Sequence, residues 1–209
     1  MTTETLHKSV ADSSDTTVLP AGEQEYCPNC GKAIAHLPLK ARRRELRGKT
    51  TVIHAEDLPK LQGRSFYCDR NKRLRDGTLV FYARQRYGDR PGLRLHTLLL
   101  ELHGVNLKDR TVDHKNHDKL DNRVGCNIRP ATQQQNNLNR RPFGKSGYKG
   151  VKQKGDRFIA RICVDGKEEH LGTFMTVVEA IEAYNNKAIE VFDPEFVYLN
   201  PVPVEQEAA

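Results

Sequence analysis

The stretch VDHKNHDKLDNRVGCNIRPATQQQNNLN, residues 112–139, carries the residues on which the fold and chemistry of this chain most depend. Asp113 and His114 are adjacent, Asn127 follows His114 by thirteen residues, and Asn136 follows Asn127 by nine. A carboxylate and an amide oxygen can hold a hard divalent cation, and an imidazole can take a proton from water near neutral pH. An acid, an imidazole and two amides are the groups that a one-metal phosphodiesterase site needs, so the stretch predicts such a site. Few of its residues are apolar, which indicates that forming a buried core is not its main role.

A helix is predicted at the end of this stretch. Thr132 and Gln135 have the spacing of a capping box, in which each side chain accepts a hydrogen bond from the backbone N–H of the other residue. Asn136 would lie about one turn into that helix, where its side chain could face Asp113.

The stretch resembles the core of HNH endonucleases, and specifically of the phage and intron homing type. The resemblance rests on five pieces that occur in the family's order: Val112-Asp113-His114, Asp121-Asn122-Arg123, Asn127-Ile128-Arg129, Thr132 and Asn136. It implies a ββα-metal fold, with a strand that ends at Asp113-His114, a loop, a short strand near residues 126–131 and then a helix.

The resemblance also implies a role for four residues. Asp113 and Asn136 would bind Mg²⁺ or another divalent metal, and His114 would be the general base that activates water. Asn127 would hold the catalytic loop and orient the His114 ring. With these roles the chain would be a hydrolase that cuts DNA phosphodiester bonds.

Two alternatives remain open within the stretch. Asn137 is adjacent to Asn136, so a shift of one residue in the preceding loop would exchange them. His117 is a second imidazole, but it matches no position of the motif. Taken singly, each of these polar residues could also serve a turn or a cap.

Basic residues are concentrated in the body of the chain. The formal net charge is +7, but residues 1–26 carry −4 and residues 201–209 carry −2, which leaves +13 on residues 27–200. A basic body suggests a polyanionic partner, with double-stranded DNA as the leading candidate, although a solvated surface would also explain the charge. No protein partner is expected to be required.

Both ends of the chain are predicted to be tails. Residues 1–26 are rich in Thr, Ser and acids, a composition typical of disorder, and residues 201–209 form a second tail. The N-terminus lacks the apolar region of a secretory signal, and the chain has no apolar run of about 18 residues that could span a membrane. We therefore expect a cytoplasmic protein without a membrane partner, in the host cytoplasm if its source is viral.

Cysteine spacing indicates a candidate zinc site. Five cysteines are too few and too scattered for a disulfide framework. However, Cys27 and Cys30, in CPNCGK, have the spacing of half a zinc knuckle, and a closed structural Zn²⁺ site needs four ligands. His36, His54, Cys68 or a second chain could complete it, and a plain turn is the alternative.

Residues 27–48 combine this CxxC knuckle with a basic segment, KARRRELR at 40–47, which is a candidate phosphate contact or a solvated helix face. Residues 49–140 would form the HNH nuclease domain. Its first part is predicted to be β-rich, with strand-like runs RSFYCD and LVFYARQRYG and a short helix from His96 to Gly104. In this context His96 is expected to be a packing residue.

After a short linker, 141–146, residues 147–200 predict three strands and one helix. Thr176 and Glu179 have capping-box spacing, and apolar residues recur at helical spacing as far as Val191. The strand-like runs are Tyr148–Gln153, Arg157–Val164 and Glu168–Phe174.

Alternation in the second of these strands assigns its two faces. The run from Phe158 to Val164 places every second, apolar residue towards the helix, and Arg157 and Arg161 on the other face. Residues 145–161 hold six basic residues and one acid, whereas residues 165–195 hold eight acids and two Lys. This charge pattern predicts that the exposed face of the sheet lies on nucleic acid and that the helix faces away.

This segment resembles an AP2/ERF DNA-binding domain in YKGV, RFIARI, HLGTF, EAIEAYNNKAI and the closing LN. That family reads the major groove with a three-stranded sheet. The resemblance implies DNA contacts at six positions: Lys149, Lys152, Lys154, Arg157, Arg161 and His170. Because several of these are Lys, they would bind phosphate as point charges and lack the bidentate fork that recognises guanine.

The sequence therefore predicts an α+β chain, with a ββα-metal nuclease core followed by a small three-stranded antiparallel sheet plus one AP2-like helix. The main hypothesis is a homing-type HNH endonuclease that the C-terminal domain targets to DNA. A DNA-binding regulator with a decayed nuclease core and an RNA-binding protein are the alternatives. A cleavage assay distinguishes the nuclease from the regulator. A salt-dependent preference for duplex DNA over RNA distinguishes it from the RNA-binding protein.

Overall fold

The computed structural model of the chain describes residues 24–74, 77–87, 90–142 and 144–203. Most of the predicted tails at 1–26 and 201–209, namely residues 1–23 and 204–209, and Phe143 of the predicted linker lie outside the described residues. The strands and helices are, in chain order, β1 (Ile34–Pro38), β2 (Thr50–His54), β3 (Phe66–Arg73), β4 (Leu79–Tyr87), β5 (Arg90–Arg94), α1 (Leu95–Leu102), β6 (Thr111–His114), β7 (Ile128–Ala131), α2 (Gln133–Leu138), β8 (Val151–Lys154), β9 (Arg157–Val164), β10 (Lys167–Phe174) and α3 (Val177–Val191).

The described strands form several small antiparallel sheets. β1 pairs with β2, β6 pairs with β7, and two three-stranded sheets have the orders β3-β4-β5 and β10-β9-β8. Together with the short helices they give a mixed α+β fold, and this part of the fold prediction is confirmed.

The larger core lies in the N-terminal part of the chain and is built around α1. Leu95, Leu99 and Leu100 of this helix are fully buried and belong to one cluster with Ile53 of β2 and Ile128 of β7. As predicted, the helix stops before Gly104, whose φ of 75° lies in the left-handed region that glycine adopts readily. This core is the platform on which β6 and β7 rest.

β6, β7 and α2, together the hairpin–helix unit, contain the stretch quoted above. The capping box at Thr132 and Gln135 is present, as predicted. The unit is fastened to β2 by backbone bonds from Val52 N to Leu120 O at 2.8 Å and from Asn122 N to Val52 O at 2.7 Å. The loop between β6 and β7 therefore continues the β2 edge.

Residues 147–200, the C-terminal unit, contain a three-stranded sheet with α3 against one face. Ala160 and Ile162 are buried with Ala180, Ile181 and Tyr184 of the helix, and the predicted capping box at the start of α3 is present. The strand expected from Tyr148 begins only at Val151. Gly150 explains the delay, since its φ is 71° and a Cβ there would collide with the Tyr184 ring.

Residues 193–200, which follow α3, bring the C-terminal unit onto the hairpin–helix unit and are called the closing segment below. Tyr198 N donates to Leu138 O at 3.0 Å, at the end of α2. The Asn200 side chain accepts from Lys149 N at 2.6 Å and donates to Lys149 O at 2.9 Å. The two units are thus joined by hydrogen bonds as well as by the chain.

Residues 24–26, which belong to the segment predicted to be a tail, pair with the segment that leads into β1. Tyr26 forms a β-bridge with Ala33, and Ile34 N donates to Glu25 O at 2.8 Å. Among the described residues, no helix has both the length and the apolar character needed to cross a bilayer.

Candidate functional site

Asp113 and His114 are the last two residues of β6 and lie at the centre of the candidate site. Their backbone partners in β7 are Arg129 and Ile128. Each residue is only 1% exposed, although both are polar. Burial of a carboxylate and an imidazole is costly unless they are compensated by neighbours or serve a function, so their contacts decide what the site can do.

The Asp113 carboxylate is fully engaged. Arg129 donates to its Oδ2 from Nε at 3.0 Å and from Nη2 at 2.8 Å. Asn139 Nδ2 lies 2.9 Å from Oδ1 and 3.1 Å from Oδ2, and it also donates to the His114 carbonyl. The arrangement fixes the end of β6 to the end of α2 and compensates a buried negative charge.

The Arg129 guanidinium is itself covered by the closing segment. Its Nη1 donates to the Glu195 carbonyl, and the guanidinium carbon lies 3.8 Å from the centre of the Phe196 ring. Tyr198 of the same segment packs edge-on against the His117 ring at 5.7 Å. The C-terminal unit therefore lies over one side of the candidate site.

His114 differs from Asp113 because neither of its ring nitrogens has a hydrogen-bond partner within the described part of the chain. The ring packs edge-on against His96 of α1, with 5.0 Å between centroids, and near Tyr82 of β4 at 6.4 Å. Burial, followed by the charge of Lys119, keeps the pKa of His114 well below its ordinary value. The imidazole is therefore neutral at pH 7 and has a free lone pair.

His96 was expected to be a packing residue, and the structure places it in this aromatic group. Its ring contacts Tyr82 at 5.4 Å as well as His114. Burial, followed by the charge of Arg94, lowers the pKa of His96 to about 3. A neutral His96 adds no charge beside His114.

Asn127 holds the loop that follows His114. Its Oδ1 accepts from Asn116 N at 3.0 Å, and its Nδ2 donates to Asp121 O at 2.6 Å. Its backbone carbonyl accepts from Lys115 N at 2.9 Å. These bonds are those of the loop-holding role that the sequence suggested, but none of them reaches the His114 ring.

Asn136 does not contact Asp113 in this arrangement. Its Nδ2 donates to Thr111 Oγ1 at 2.6 Å, at the other end of β6. Its alternative, Asn137, accepts from Gln133 within α2. The amide at Asp113 belongs to Asn139, which the sequence reading passed over, although its position three residues after Asn136 puts it on the same helix face.

A second cluster lies on the other side of the β6–β7 loop. Cys27 Sγ, Cys30 Sγ, a ring nitrogen of His54 and Cys126 Sγ all lie within 4.8 Å of one another. The Cys30 Sγ to His54 Nε2 distance is 3.4 Å. Three sulfurs and one imidazole are a ligand set that could hold a metal ion, and one that zinc prefers.

Of the partners considered for Cys27 and Cys30, the structure brings His54 to the cluster and not His36 or Cys68. His36 pairs with Glu25 at 2.9 Å, and Cys68 is buried in the larger core. The fourth member, Cys126, was not considered from the sequence. The sequence indicates Cys126 only indirectly: a CxxC pair needs two more ligands to close a zinc site, and the chain has only three other cysteines.

The pKa values of the cysteine thiols in the cluster depend on one another. Burial would raise the pKa of Cys27, but hydrogen bonds from His54, the Asn29 backbone, Cys30 and Cys126 outweigh it and lower the pKa to about 6. Burial, together with Cys30 and Cys27, raises the pKa of Cys126 to about 12. Arg123 Nη1 lies 3.1 Å from Cys27 Sγ and favours its thiolate.

Five of the six candidate DNA contacts are exposed on the C-terminal unit. Lys152, Lys154, Arg157, Arg161 and His170 are all solvent-exposed. They share the face of the sheet opposite α3, as the pairs Lys154–Arg157 and Arg161–His170 show. Arg161 also forms an exposed ion pair with Glu168 at 2.7 Å.

Lys149, the sixth candidate, is placed differently. It is half-buried, its Nζ donates to the Leu138 carbonyl at the end of α2, and burial lowers its pKa to about 8. A cation at a helix C-terminus is favourable. Lys149 therefore joins the two units in this structure, instead of lying on the exposed basic face.

A further basic surface is a groove between the 40–47 segment and the β3–β4 sheet. Four arginines line it: Arg42, Arg43, Arg84 and Arg86. Asp69 is its acidic residue and pairs with Arg84 at 3.2 Å. Such a groove can accept a phosphate chain.

No family model, no curated protein and no solved structure matches this chain.

Proposed function

We propose that this protein is a metal-dependent DNA endonuclease of the HNH homing type, which hydrolyses phosphodiester bonds in double-stranded DNA in the cytoplasm. The observation that carries the proposal is the buried Asp113–His114 pair at the end of the first strand of a hairpin–helix unit. A buried imidazole whose ring nitrogens make no hydrogen bond of ordinary geometry is costly to the fold, and the neighbouring Asn122 side chain offsets only part of that cost. A catalytic role explains why these two residues lie together.

Mg²⁺ is the metal that we propose for Asp113. A carboxylate and a side-chain amide are suitable ligands for a hard cation, and both are present at the end of β6. The amide oxygen would come from Asn136, which the HNH resemblance implies, or from Asn139, whose Nδ2 now donates to Asp113 and whose oxygen would have to turn towards the metal. When bound, the metal would polarise the phosphate and stabilise the leaving 3′ oxygen.

His114 would act as the general base. In the closed fold, burial keeps the ring neutral but also makes it a weak base, because proton transfer is most efficient when the pKa lies near the working pH. Access to the ring requires an opening, because the side chain is buried. The closing segment, which covers the neighbouring Arg129, is the part that we expect to move when DNA binds.

The C-terminal unit would bind and target the DNA. Its exposed sheet face carries the basic residues and α3 carries acids, so the two sides of the unit have opposite electrostatic character. We expect Lys152 and Lys154 to neutralise phosphates, so that removing either lowers the salt slope of binding by roughly 0.9. Arg161 alone there has the central position and the fork for guanine.

Zn²⁺ is the metal that we propose for the Cys27–Cys30–His54–Cys126 cluster. The ligand types and number are those of a closed structural site. It differs from the Mg²⁺ site in having no carboxylate, so the two metals would be sorted by ligand softness.

Cleavage of supercoiled plasmid DNA in Mg²⁺ and in EDTA tests the nuclease proposal. We expect His114→Ala to lose two or more orders of magnitude in rate, on the general-base scale of about 10²–10⁴, and to keep DNA binding. Asp113→Ala should abolish activity. His36→Ala, which lies outside the site, is the matched control, and equal rates for it and for His114→Ala would refute the assignment.

The metal-binding amide is tested by separate substitutions in α2. If Asn136 is the ligand, Asn136→Ala will cost more activity than Asn137→Ala or Asn139→Ala at limiting Mg²⁺. If Asn139 is the ligand, Asn139→Ala will cost more activity than Asn136→Ala. Equal activity in all three variants would exclude an α2 amide from the metal site.

A DNA-binding regulator without catalysis is the second candidate function. It is favoured by the saturated state of Asp113, whose oxygens are held by Arg129 and Asn139 beneath the closing segment. A wild-type protein that binds duplex DNA with the expected salt dependence but never cleaves it, with any divalent metal, would support this candidate.

A further inference from the structure

We infer that metal binding at the Cys27–Cys30–His54–Cys126 cluster positions the loop 115–127, which follows the candidate base. The ligands come from three separate parts of the chain: a turn near the N-terminus, the end of β2, and the end of the loop itself. The catalytic consequence of this inference rests on the proposed nuclease function. The structural part, a metal that orders the loop, does not.

The cluster is close to a geometry that a tetrahedral metal can hold. Ligand atoms around tetrahedral zinc lie about 3.5–3.8 Å apart, given Zn–S and Zn–N bonds of about 2.3 and 2.0 Å. The four atoms here lie within 4.8 Å of one another, and the pair Cys30–His54 is at 3.4 Å. Coordination would therefore require shifts of about 1 Å or less.

Cys126 connects the cluster directly to the loop. It is the residue before Asn127, whose side chain bonds Asn116 N and Asp121 O. A metal bond to Cys126 would fix the backbone at Asn127. Through Asn127 it would fix both the start and the middle of the loop.

Arg123 provides a second connection and is a positioning residue. Its Nη1 donates to Cys27 Sγ, and its Nε and Nη2 donate to the two carboxylate oxygens of Asp121 at 2.8 and 2.6 Å. Asp121 Oδ2 in turn accepts from Asn116 Nδ2 at 2.8 Å. Asn116 and Asp121 of the loop are thus connected to Cys27 through Arg123, as well as to Cys126 through Asn127.

His54 provides a third connection through β2. Two residues before it, Val52 exchanges backbone hydrogen bonds with Leu120 and Asn122 of the loop. A metal bond to His54 would hold the end of β2 in line with this pairing. All three ligand-bearing segments therefore reach the loop by hydrogen bonds that are already present.

Metal content of the full chain is the first test. We expect one Zn²⁺ per chain in the wild type and in Cys163→Ser, a control at an exposed cysteine of the C-terminal unit. Cys126→Ser should lose the metal on dialysis, whereas Cys126→His should keep it. With Co²⁺, the thiolate charge-transfer absorption of Cys126→His should fall by about one third, because two thiolates remain of three. A wild type that binds neither metal would overturn the inference.

Hydrogen exchange of the backbone amides at 115–127 is the second test. Removal of the metal with a zinc-selective chelator should speed exchange at Asn116 and Asn127 in the wild type and in Cys126→His. Cys126→Ser should exchange at the fast rate with or without zinc. A loop whose exchange is unchanged when zinc leaves would show that the metal does not position it.

Arg123→Ala tests the hydrogen bond to a ligand. Loss of an outer hydrogen bond of this kind typically costs about 10- to 100-fold in metal affinity. We expect Arg123→Ala to lose at least about 10-fold in zinc affinity. Arg110→Ala, which alters an exposed arginine, should leave the affinity unchanged. Arg123→Lys should recover part of the affinity, and equal affinities in all four proteins would contradict the role of Arg123.

Cleavage kinetics then separate this inference from the nuclease proposal. Zinc removal with Mg²⁺ retained should lower kcat and leave KM nearly unchanged, because DNA affinity lies mainly in the C-terminal unit, and Cys126→His should retain the rate. An unchanged kcat would refute the positioning role. If the wild type never cleaves, the nuclease proposal fails, while metal content and exchange still decide the inference.

Discussion

At the scale of single residues, the site depends on how buried charge is compensated. Asp113 and Arg129 form a nearly dry pair, with side-chain exposures of 2% and 8%. Removing one member of such a pair leaves the other charged and desolvated, which costs more than the pair itself contributes. Arg129 is thus important to stability whether or not Asp113 binds a metal.

Arg129→Ala should therefore lower the free energy of unfolding by about 3–5 kcal/mol. Arg141→Ala is the matched control, because Arg141 is exposed and makes one bond, to Asn116 O at 3.3 Å. We expect the control to cost less than about 1 kcal/mol. Urea denaturation of the full chain measures the free energy of unfolding of both variants. If Arg129→Ala costs as little as the control, the Asp113 charge is compensated elsewhere.

Surface charge at the proposed DNA face behaves differently. Glu168 pairs with Arg161, but both are exposed, so the ion pair is worth about 0–1 kcal/mol. It nevertheless occupies the guanidinium that would bond a base.

Glu168→Gln should tighten DNA binding and sharpen discrimination at one base pair, by up to about 1–3 kcal/mol if Arg161 contacts guanine. Glu169→Gln removes the same charge from a neighbour that pairs with Lys187 instead. Binding to a panel of single-base-pair variants distinguishes them. An identical gain in both variants would mean that only net charge changed.

At the scale of elements, α1 and β6 meet through two buried imidazoles. His96 and His114 are both neutral in the fold, with pKa values below the ordinary 6.5. The unfolded chain therefore binds more protons than the fold below about pH 6.5. Stability is fully present above that pH and is lost as the pH falls towards 3.

His96→Phe should flatten this dependence. Each histidine that must charge on unfolding contributes a slope of up to about 1.4 kcal/mol per pH unit, and phenylalanine removes one such group while keeping a ring against Tyr82. His170→Gln, at an exposed position, should leave the slope unchanged. Unfolding free energies at several pH values between about 4 and 7 test this, and parallel curves for wild type and His96→Phe would contradict it.

At the scale of the whole molecule, the C-terminal unit both follows and covers the hairpin–helix unit. The closing segment contacts Arg129, His117 and the end of α2, and Lys149 adds a fourth contact. Under the proposed function, targeting and access to the candidate site would be coupled, because the unit proposed to hold DNA also lies over the site.

Phe196→Ala should loosen this cover. Loss of the ring over Arg129 should cost about 0.5–2 kcal/mol of stability. If opening limits cleavage, each 1.4 kcal/mol removed from its cost should raise the rate about tenfold. Plasmid nicking compares this variant with Leu199→Ala, an exposed residue of the same segment. Slower nicking by Phe196→Ala alone would show that the contact assists catalysis.

The local structure of this chain can be predicted from its amino-acid sequence. Both capping boxes, the end of α1 at Gly104 and the two faces of β9 depend on residues within a few positions of one another, and the structure shows them all. Periodicity and capping act over one helical turn or two strand residues, so they can be read without the fold.

Contacts between residues that are distant in the sequence could be identified only from the fold. Asn139 and not Asn136 reaches Asp113, and Cys126 completes the cluster with Cys27. Lys149 contacts α2 instead of lying on the basic face. These choices depend on the angle at which packed elements meet, and a partner such as Cys27, 96 residues from Arg123, has no local spacing that identifies it.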